Sequence, residues 1–150
     1  MTPQNLAEIQ GIEMNDSEIA EFLRDQRVGV LSLADESEAY GVPVSFGYDD
    51  GGYLAFIFLR AAEESKKHRL AKRTTTASFT TYEIRSKHEW RSVIATGPLR
   101  QVDDDSWDDI VETIEDNAWY PSLFSEAEPL YDFRAWKLRL DEVTGQKSDG

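Results

Sequence analysis

Cysteine is absent from the 150 residues, which excludes disulfides, thiolate metal sites and cysteine nucleophiles. Histidine is nearly absent. His68 and His88 both lie in polar, charge-rich stretches with no carboxylate at metal-ligand spacing, so both read as surface residues and no metal is expected. The run Asp103–Asp105 reads as a charged helix start rather than a cation site. There is no Walker-type loop, no dinucleotide fingerprint and no nucleophile elbow. Any reaction would therefore be carried by a cofactor. No apolar run approaches the roughly 20 residues of a spanning helix. The N-terminus shows no charged-then-apolar leader, and the expected location is the cytoplasm.

Positive charge is also scarce. The chain has 16 Lys and Arg against 29 Asp and Glu, a formal net charge of −13. Acidic pairs recur along its length and Arg outnumbers Lys, a pattern expected of a protein kept soluble in concentrated salt (a halophilic composition). General binding to nucleic acid or to an anionic membrane is disfavoured, because phosphate affinity needs a broad positive field. Yet nine of the 16 basic residues fall between Arg60 and Arg91, where they meet only four acids. That surplus needs a reason.

With 40% hydrophobic residues, the chain suits a single globular domain. Residues 1–13 lack periodicity and are expected to be loosely structured, with one domain over 14–150. In "MNDSEIAEFL", Asn15 and Glu18 have capping-box spacing and Met14 can staple onto Ile19. Ile19, Phe22 and Leu23 form the buried stripe of a helix ending near Gln26. The period then becomes two. "VGVLSLA" is a strand, and in "AYGVPVSFGY" the side chains of Tyr40, Val42, Val44, Phe46 and Tyr48 point one way. Gly41, Pro43, Ser45 and Gly47 point the other way, leaving bare backbone that a neighbouring strand or a flat group can approach. "YLAFIFL", "TTTASFTTYE", "WRSVIATGPLRQV" and "RAWKLRLDEVTG" complete six strands. A short helix over 61–73 has Leu70 and Ala71 as its apolar anchors. Another, opened by "DDDSW", carries Trp107, Ile110, Val111, Ile114 and Ala118 at helical spacing. The expected fold is mostly β (α+β), a six-stranded antiparallel barrel with peripheral helices.

"ESKKHRLAKR" follows a buried strand and opens a helix. Ser65, Lys66 and Lys67 there combine free backbone N–H groups, a hydroxyl and two ammonium groups, a set suited to one phosphate. A small-faced strand lies upstream, and "WRSV" downstream supplies an aromatic, an Arg and a Ser. Together these describe a site for a phosphorylated flat heterocycle.

In "FLRDQRVGVLSL", "YGVPVSFGYDDGGYLAFIF", "ESKKHRL", "WRSVIATGPLRQV" and "LRLDEVTG", taken in order, the chain resembles the pyridoxamine 5′-phosphate oxidase-like flavoproteins, the FMN-binding split barrels. The resemblance implies a split β-barrel and a homodimer with FMN in clefts at its interface. It assigns Val44, Ser45 and Phe46 to the strand whose backbone borders the flavin ring. Ser65, Lys66 and Lys67 match its phosphate motif, with Leu70 as a packing position. Trp90, Arg91 and Ser92 match a strand donating polar groups, with Arg91 tuning the ring. Contacts to the partner chain are expected from Trp119–Tyr120 or Trp136. The Trp-Gln-Gly and Arg-x-His signature of members that oxidise pyridoxamine phosphate has no counterpart in "LDEVTGQKSDG". The resemblance thus points to a small flavin-binding branch. The implied function is an FMN-dependent oxidoreductase with a small-molecule redox partner of unknown identity. The alternative is a non-catalytic flavin or haem binding and storage protein, haem being less favoured because only two histidines could ligate iron.

Overall fold

The computed structural model describes residues 11–59, 66–103, 108–110, 112–113 and 133–149. Helix α1, Asp16–Asp25, starts where the capping box predicts: the Glu18 N–H donates to Asn15 Oδ1 at 2.9 Å and the Asn15 N–H to Glu18 Oε1 at 3.0 Å. It buries Ile19, Phe22 and Leu23. Its C-cap is Gln26, whose N–H donates to the Phe22 carbonyl at 3.0 Å. The Gln26 side chain then reaches Thr81 Oγ1 and the Tyr82 carbonyl, at 2.9 and 3.1 Å, tying the helix end to the sheet.

Nine strands occur among the described residues: β1 Ile12–Glu13, β2 Val28–Asp35, β3 Glu38–Ser45, β4 Gly47–Asp49, β5 Tyr53–Leu59, β6 Thr76–Ser86, β7 Glu89–Gln101, β8 Phe133–Arg139 and β9 Glu142–Lys147. A second helix, α2, covers Lys66–Arg73. The mostly β character with few helices agrees with expectation, but the architecture is a nine-stranded open sheet rather than a six-stranded barrel. Its hydrogen-bonded order is β3-β2-β6-β7-β8-β5-β4, with β9 on β7 and β1 on β9. Among the described residues no ladder joins the outer edges of β3 and β4, so the sheet curls without closing.

Two breaks and one addition turn six strands into nine. At Phe46 the chain leaves its ladder with β2, and Gly47 starts a new one with β5. Phe46 turns its ring fully into the core, 4.7 Å from Phe79, and its N–H donates to the Arg27 carbonyl at 3.2 Å. The last strand breaks at Leu140–Asp141, where the chain crosses β7 so closely that a Cβ on Gly97 would lie 1.8 Å from the Arg139 carbonyl oxygen. Only glycine fits there. The addition is β1: Ile12 and Glu13 pair with Lys147 and Gln146, so the start expected to be loose is anchored at its last two residues.

Leu31, Leu33, Leu54, Phe56, Phe79, Val93, Ala95 and Leu138 fill the concave side, all at most 1% exposed. Strand β5 is covered on both faces, as its unbroken apolar run predicts. Leu54 and Phe56 point into the core, and Ala55 packs in a second cluster with Ile110 of a helical turn. The expected helix positions Trp107, Val111, Ile114 and Ala118 lie outside the described residues. No helix among the described residues is long and apolar enough to cross a membrane.

Candidate functional site

The basic cluster that is continuous in sequence is divided in space. Helix α2 packs at the β2–β3 hairpin, where Lys66 Nζ lies 3.2 Å from Glu38 Oε2 and Arg73 Nη1 lies 3.0 Å from Asp35 Oδ2. Arg85, Lys87 and Arg91 lie at the β6–β7 hairpin, around the opposite end of β6. Strand β6 has 11 residues, so about 33 Å separate its two ends at about 3.3 Å per residue. There are two positive patches, not one.

The first patch has a rigid seat. Leu70 and Ala71, the predicted anchors of α2, are buried. Thr74, just past the helix, donates to the Leu70 carbonyl at 2.7 Å and accepts the Ala34 N–H at 3.1 Å. Lys66 Nζ also sits 4.9 Å from the centre of the Tyr40 ring. Its charge thus rests on the rim of β3, held by a half-exposed carboxylate that an incoming anion can replace. Ser65 and the Lys67 side chain lie outside the described residues.

From that rim β3 runs as the edge of the sheet, with no strand among the described residues on its free side. The faces alternate as predicted. Tyr40, Val42 and Val44 pack on the core, while Gly41, Pro43 and Ser45 face outward. Pairing extends this outward face across the sheet: Ser45 opposes Val28, and Tyr82 opposes Ser92, which opposes Gln146. The β2–β6 register, continued by a 2.9 Å bond from Thr81 Oγ1 to the Val28 carbonyl, sets Tyr82 beside Val28. Four of the five exposed large apolar residues among those described belong to this face: Val28 (52%), Tyr82 (59%), Ile84 (68%) and Ile94 (46%). An apolar face left in water marks a contact surface. Tyr82 and Ile94 went unnoticed in the sequence, although the apolar alternation of Thr80, Tyr82 and Ile84 carries the signal.

The expected site residues among those described do not meet in one chain. Ser45 and Ser92 share the outer face but stand three strand spacings apart, about 14 Å. Lys66 is farther still, at the other end of β3. Phe46 contributes only backbone, its ring being core. Arg91 points to the inner side: its guanidinium lies 4.7 Å from the Phe22 ring and donates to Glu83 Oε1 at 3.1 Å. It therefore does not share a face with Ser92, contrary to its expected place beside a ring. Trp136, expected to touch a partner, is a core residue at 3% exposure. Trp119–Tyr120 lies outside the described residues.

The second patch borders a cleft of about 340 Å³ between the β6–β7 hairpin and the end of β9. Trp90 lies across Gly11, where a Cβ would come 2.4 Å from its ring. Trp90 also exchanges two bonds with Ser148: its N–H donates to Ser148 Oγ at 3.1 Å, and the Ser148 N–H donates to its carbonyl at 2.9 Å. Lys147 pairs with Glu18, and Arg85 with Glu83 at 3.1 Å.

These pairs set an acid response. The Lys147 ammonium holds the Glu18 carboxyl below its usual value, helped by the Asn15 backbone N–H. Arg91, with Arg85, does the same for Glu83. A carboxyl lowered in the folded state adds stability above its unfolded pKa, and that stability is lost as pH falls through the folded pKa. Lys147→Met should therefore shrink the difference in urea midpoint between pH 7 and pH 3. An unchanged difference would mean that the Glu18 pair does not form in solution.

A larger cavity of about 540 Å³ lies at the β4–β5 hairpin, lined by Arg24, Tyr48, Tyr53 and four carboxylates. Burial, then nearby aspartates, raise both phenols. Among the described residues no group of three or more His, Asp or Glu could hold a metal ion.

A family model described as pyridoxamine 5′-phosphate oxidase matches residues 15–147. No curated protein matches the chain. Among solved structures, an FAD-binding protein of Mesorhizobium loti is 18% identical, with a TM-score of 0.73 over 93% of this chain and 99% of that one. An FAD-binding protein of Mycobacterium smegmatis is 18% identical, with a TM-score of 0.63 over 91% and 97%. An FAD and heme binding protein of the same organism is 14% identical, with a TM-score of 0.70 over 91% and 72%. At these identities the likeness is one of fold.

Proposed function

The chain belongs to the pyridoxamine 5′-phosphate oxidase family, and from that premise we propose that it binds flavin mononucleotide as a homodimer and acts as an FMN-dependent oxidoreductase on a small molecule. The observation that carries this reading is the separation just described. Lys66 and the edge of β3 offer a phosphate contact and backbone with no strand partner among the described residues, while Ser92 lies three strands away on the same apolar face as Ser45. One chain cannot present all of these to one ligand. Two chains packed outer face to outer face can, because a two-fold axis sets the β7 region of one against the β3 edge of the other.

The residues present fit the cofactor. Ser45 lies five residue steps from Tyr40, about 17 Å of edge strand, which suits a ligand with a charged tail and a distant ring. Gly41, Pro43 and Ser45 keep that edge low, and edge backbone groups can pair with the polar rim of a heterocycle. FMN when bound supplies hydride exchange at its ring. The chain's part is to hold the phosphate with Lys66, joined by Ser65 and Lys67, to border the ring with Val44, Ser45 and the Phe46 backbone, and to exclude water with the apolar face. A flavin-storage role without turnover is the second reading. It is favoured by the make-up of the outer face, where Val28, Tyr82, Ile84, Ser92 and Ile94 offer no carboxylate or imidazole to move a proton.

The test is the visible spectrum of the purified protein, followed by chromatography of the ligand released on denaturation. Flavin bands and released FMN are expected. Lys66→Ala should weaken FMN binding by about 1.5–3 kcal/mol, the range of a hydrogen bond to a charged group. Fold stability should hardly change, because the exposed Lys66–Glu38 pair contributes at most about 1 kcal/mol. Undiminished affinity would remove Lys66 from the site. Reduction of bound flavin by a nicotinamide donor would separate an enzyme from a store.

A further inference from the structure

The cleft beside Trp90 is not explained by flavin binding. Its lining brings Arg85, Arg91 and Lys147 together with Glu83 and Glu89, a concentration of cations on a chain of net charge −13. The cations are placed in advance. Glu83 holds both guanidinium groups, each at 3.1 Å, and Arg91 lies against Phe22. Arg85 also reaches Glu89 at 3.5 Å, but a guanidinium carries five N–H groups in a planar fork, more than these carboxylates use. Glu18, outside the lining, fixes Lys147. Trp90 is partly exposed, with its backbone bound to Ser148 on both sides and its ring seated over bare Gly11. A fixed aromatic surface beside fixed guanidinium groups favours a ligand that is both flat and negative. The volume, about 340 Å³, is at the small end of ligand pockets.

We propose that this cleft binds a planar organic anion, an aromatic carboxylate stacked on Trp90 with its charge met by Arg85 at the end of the β6–β7 hairpin. The ligand would sit two residues along β7 from Ser92, on the rim of the outer face. If the flavin reading holds, that position makes it a reactant for the cofactor. Binding itself does not depend on that reading.

The experiment is calorimetric titration of the full-length protein, as purified, with 2-naphthoate and with its neutral isostere 2-naphthamide. Naphthoate is expected to bind at least about tenfold more tightly, the effect of a charge-assisted contact. Arg85→Ala, which trims a side chain 62% exposed and so leaves the fold intact, should weaken naphthoate about tenfold or more. Trp90→Phe should retain most of the affinity. Equal binding of acid and amide, no binding of either, or an unchanged affinity in Arg85→Ala overturns the proposal. Released FMN is read separately on the same preparation. Naphthoate binding without flavin would therefore reject the cofactor and keep the cleft, and flavin without naphthoate binding would do the reverse.

Discussion

Replacing Phe79 with alanine is expected to destabilise the protein by about 3–5 kcal/mol, the range for removing a buried aromatic ring. Phe79 is fully buried on β6, its ring 4.7 Å from that of Phe46 and 5.6 Å from that of Phe56. Gly29 on β2 leaves room for it, since a Cβ there would come 2.3 Å from the Phe79 ring. The ring thus bridges the two parts of the curled sheet at the point where Phe46 carries the chain from β3 to β4. That junction has no ladder of its own, so side-chain packing must hold it. The hole cannot collapse readily, because β2 and β7 are fixed to β6 on either side. Urea denaturation would read the loss as a midpoint lower by about 2 M, taking a slope near 2 kcal/mol per M. Phe79→Leu should recover more than half. A loss below about 1 kcal/mol would mean that the sheet edges are held together by something other than this packing.

How far the sequence could be read depended on what each signal encodes. The capping box at Asn15 and Glu18 and the outward set Gly41, Pro43 and Ser45 are local patterns, and both appear as expected. Strand breaks are different. Phe46 keeps the inward phase of Tyr40, Val42 and Val44, so the alternation runs unbroken while the hydrogen-bond partner changes from β2 to β5. Period two reports the face of a residue and is silent on its neighbour. The basic cluster misleads for a related reason. Closeness along the chain means nothing across a strand of 11 residues, and β6 carries Arg85 and Arg91 away from Lys66. The block Trp90–Arg91–Ser92 divides between two faces on simple geometry. Successive residues of a strand alternate faces, so Trp90 and Ser92 can serve one surface while Arg91 serves the other.

The proposed dimer makes its strongest prediction at Ile94. This residue lies on the outer face of β7, paired with Thr80 on one side and Thr144 on the other, and is 46% exposed. In a single chain Ile94→Asp exchanges one half-exposed side chain for another and should cost no more than about 1 kcal/mol of fold stability, mostly in strand propensity. In a dimer packed through this face the same change buries an unpaired carboxylate, at several kcal/mol per ion, and the two-fold axis applies it twice. The dimer dissociation constant should rise by at least about 1,000-fold, equivalent to about 4 kcal/mol. Analytical ultracentrifugation should find dimers of the natural chain and monomers of the variant. Flavin should leave with the partner, because Ser45 and Ser92 would no longer meet across an interface. Ile12→Asp is the control. Ile12 is exposed to a similar degree, 42%, but pairs with Lys147 on β9 and lies on the opposite face, so it should leave both dimer and flavin intact. A dimeric Ile94→Asp would place the interface elsewhere on the molecule. A monomer that kept full flavin affinity would place the whole cofactor site within one chain, along the edge of β3 from Lys66 to Ser45.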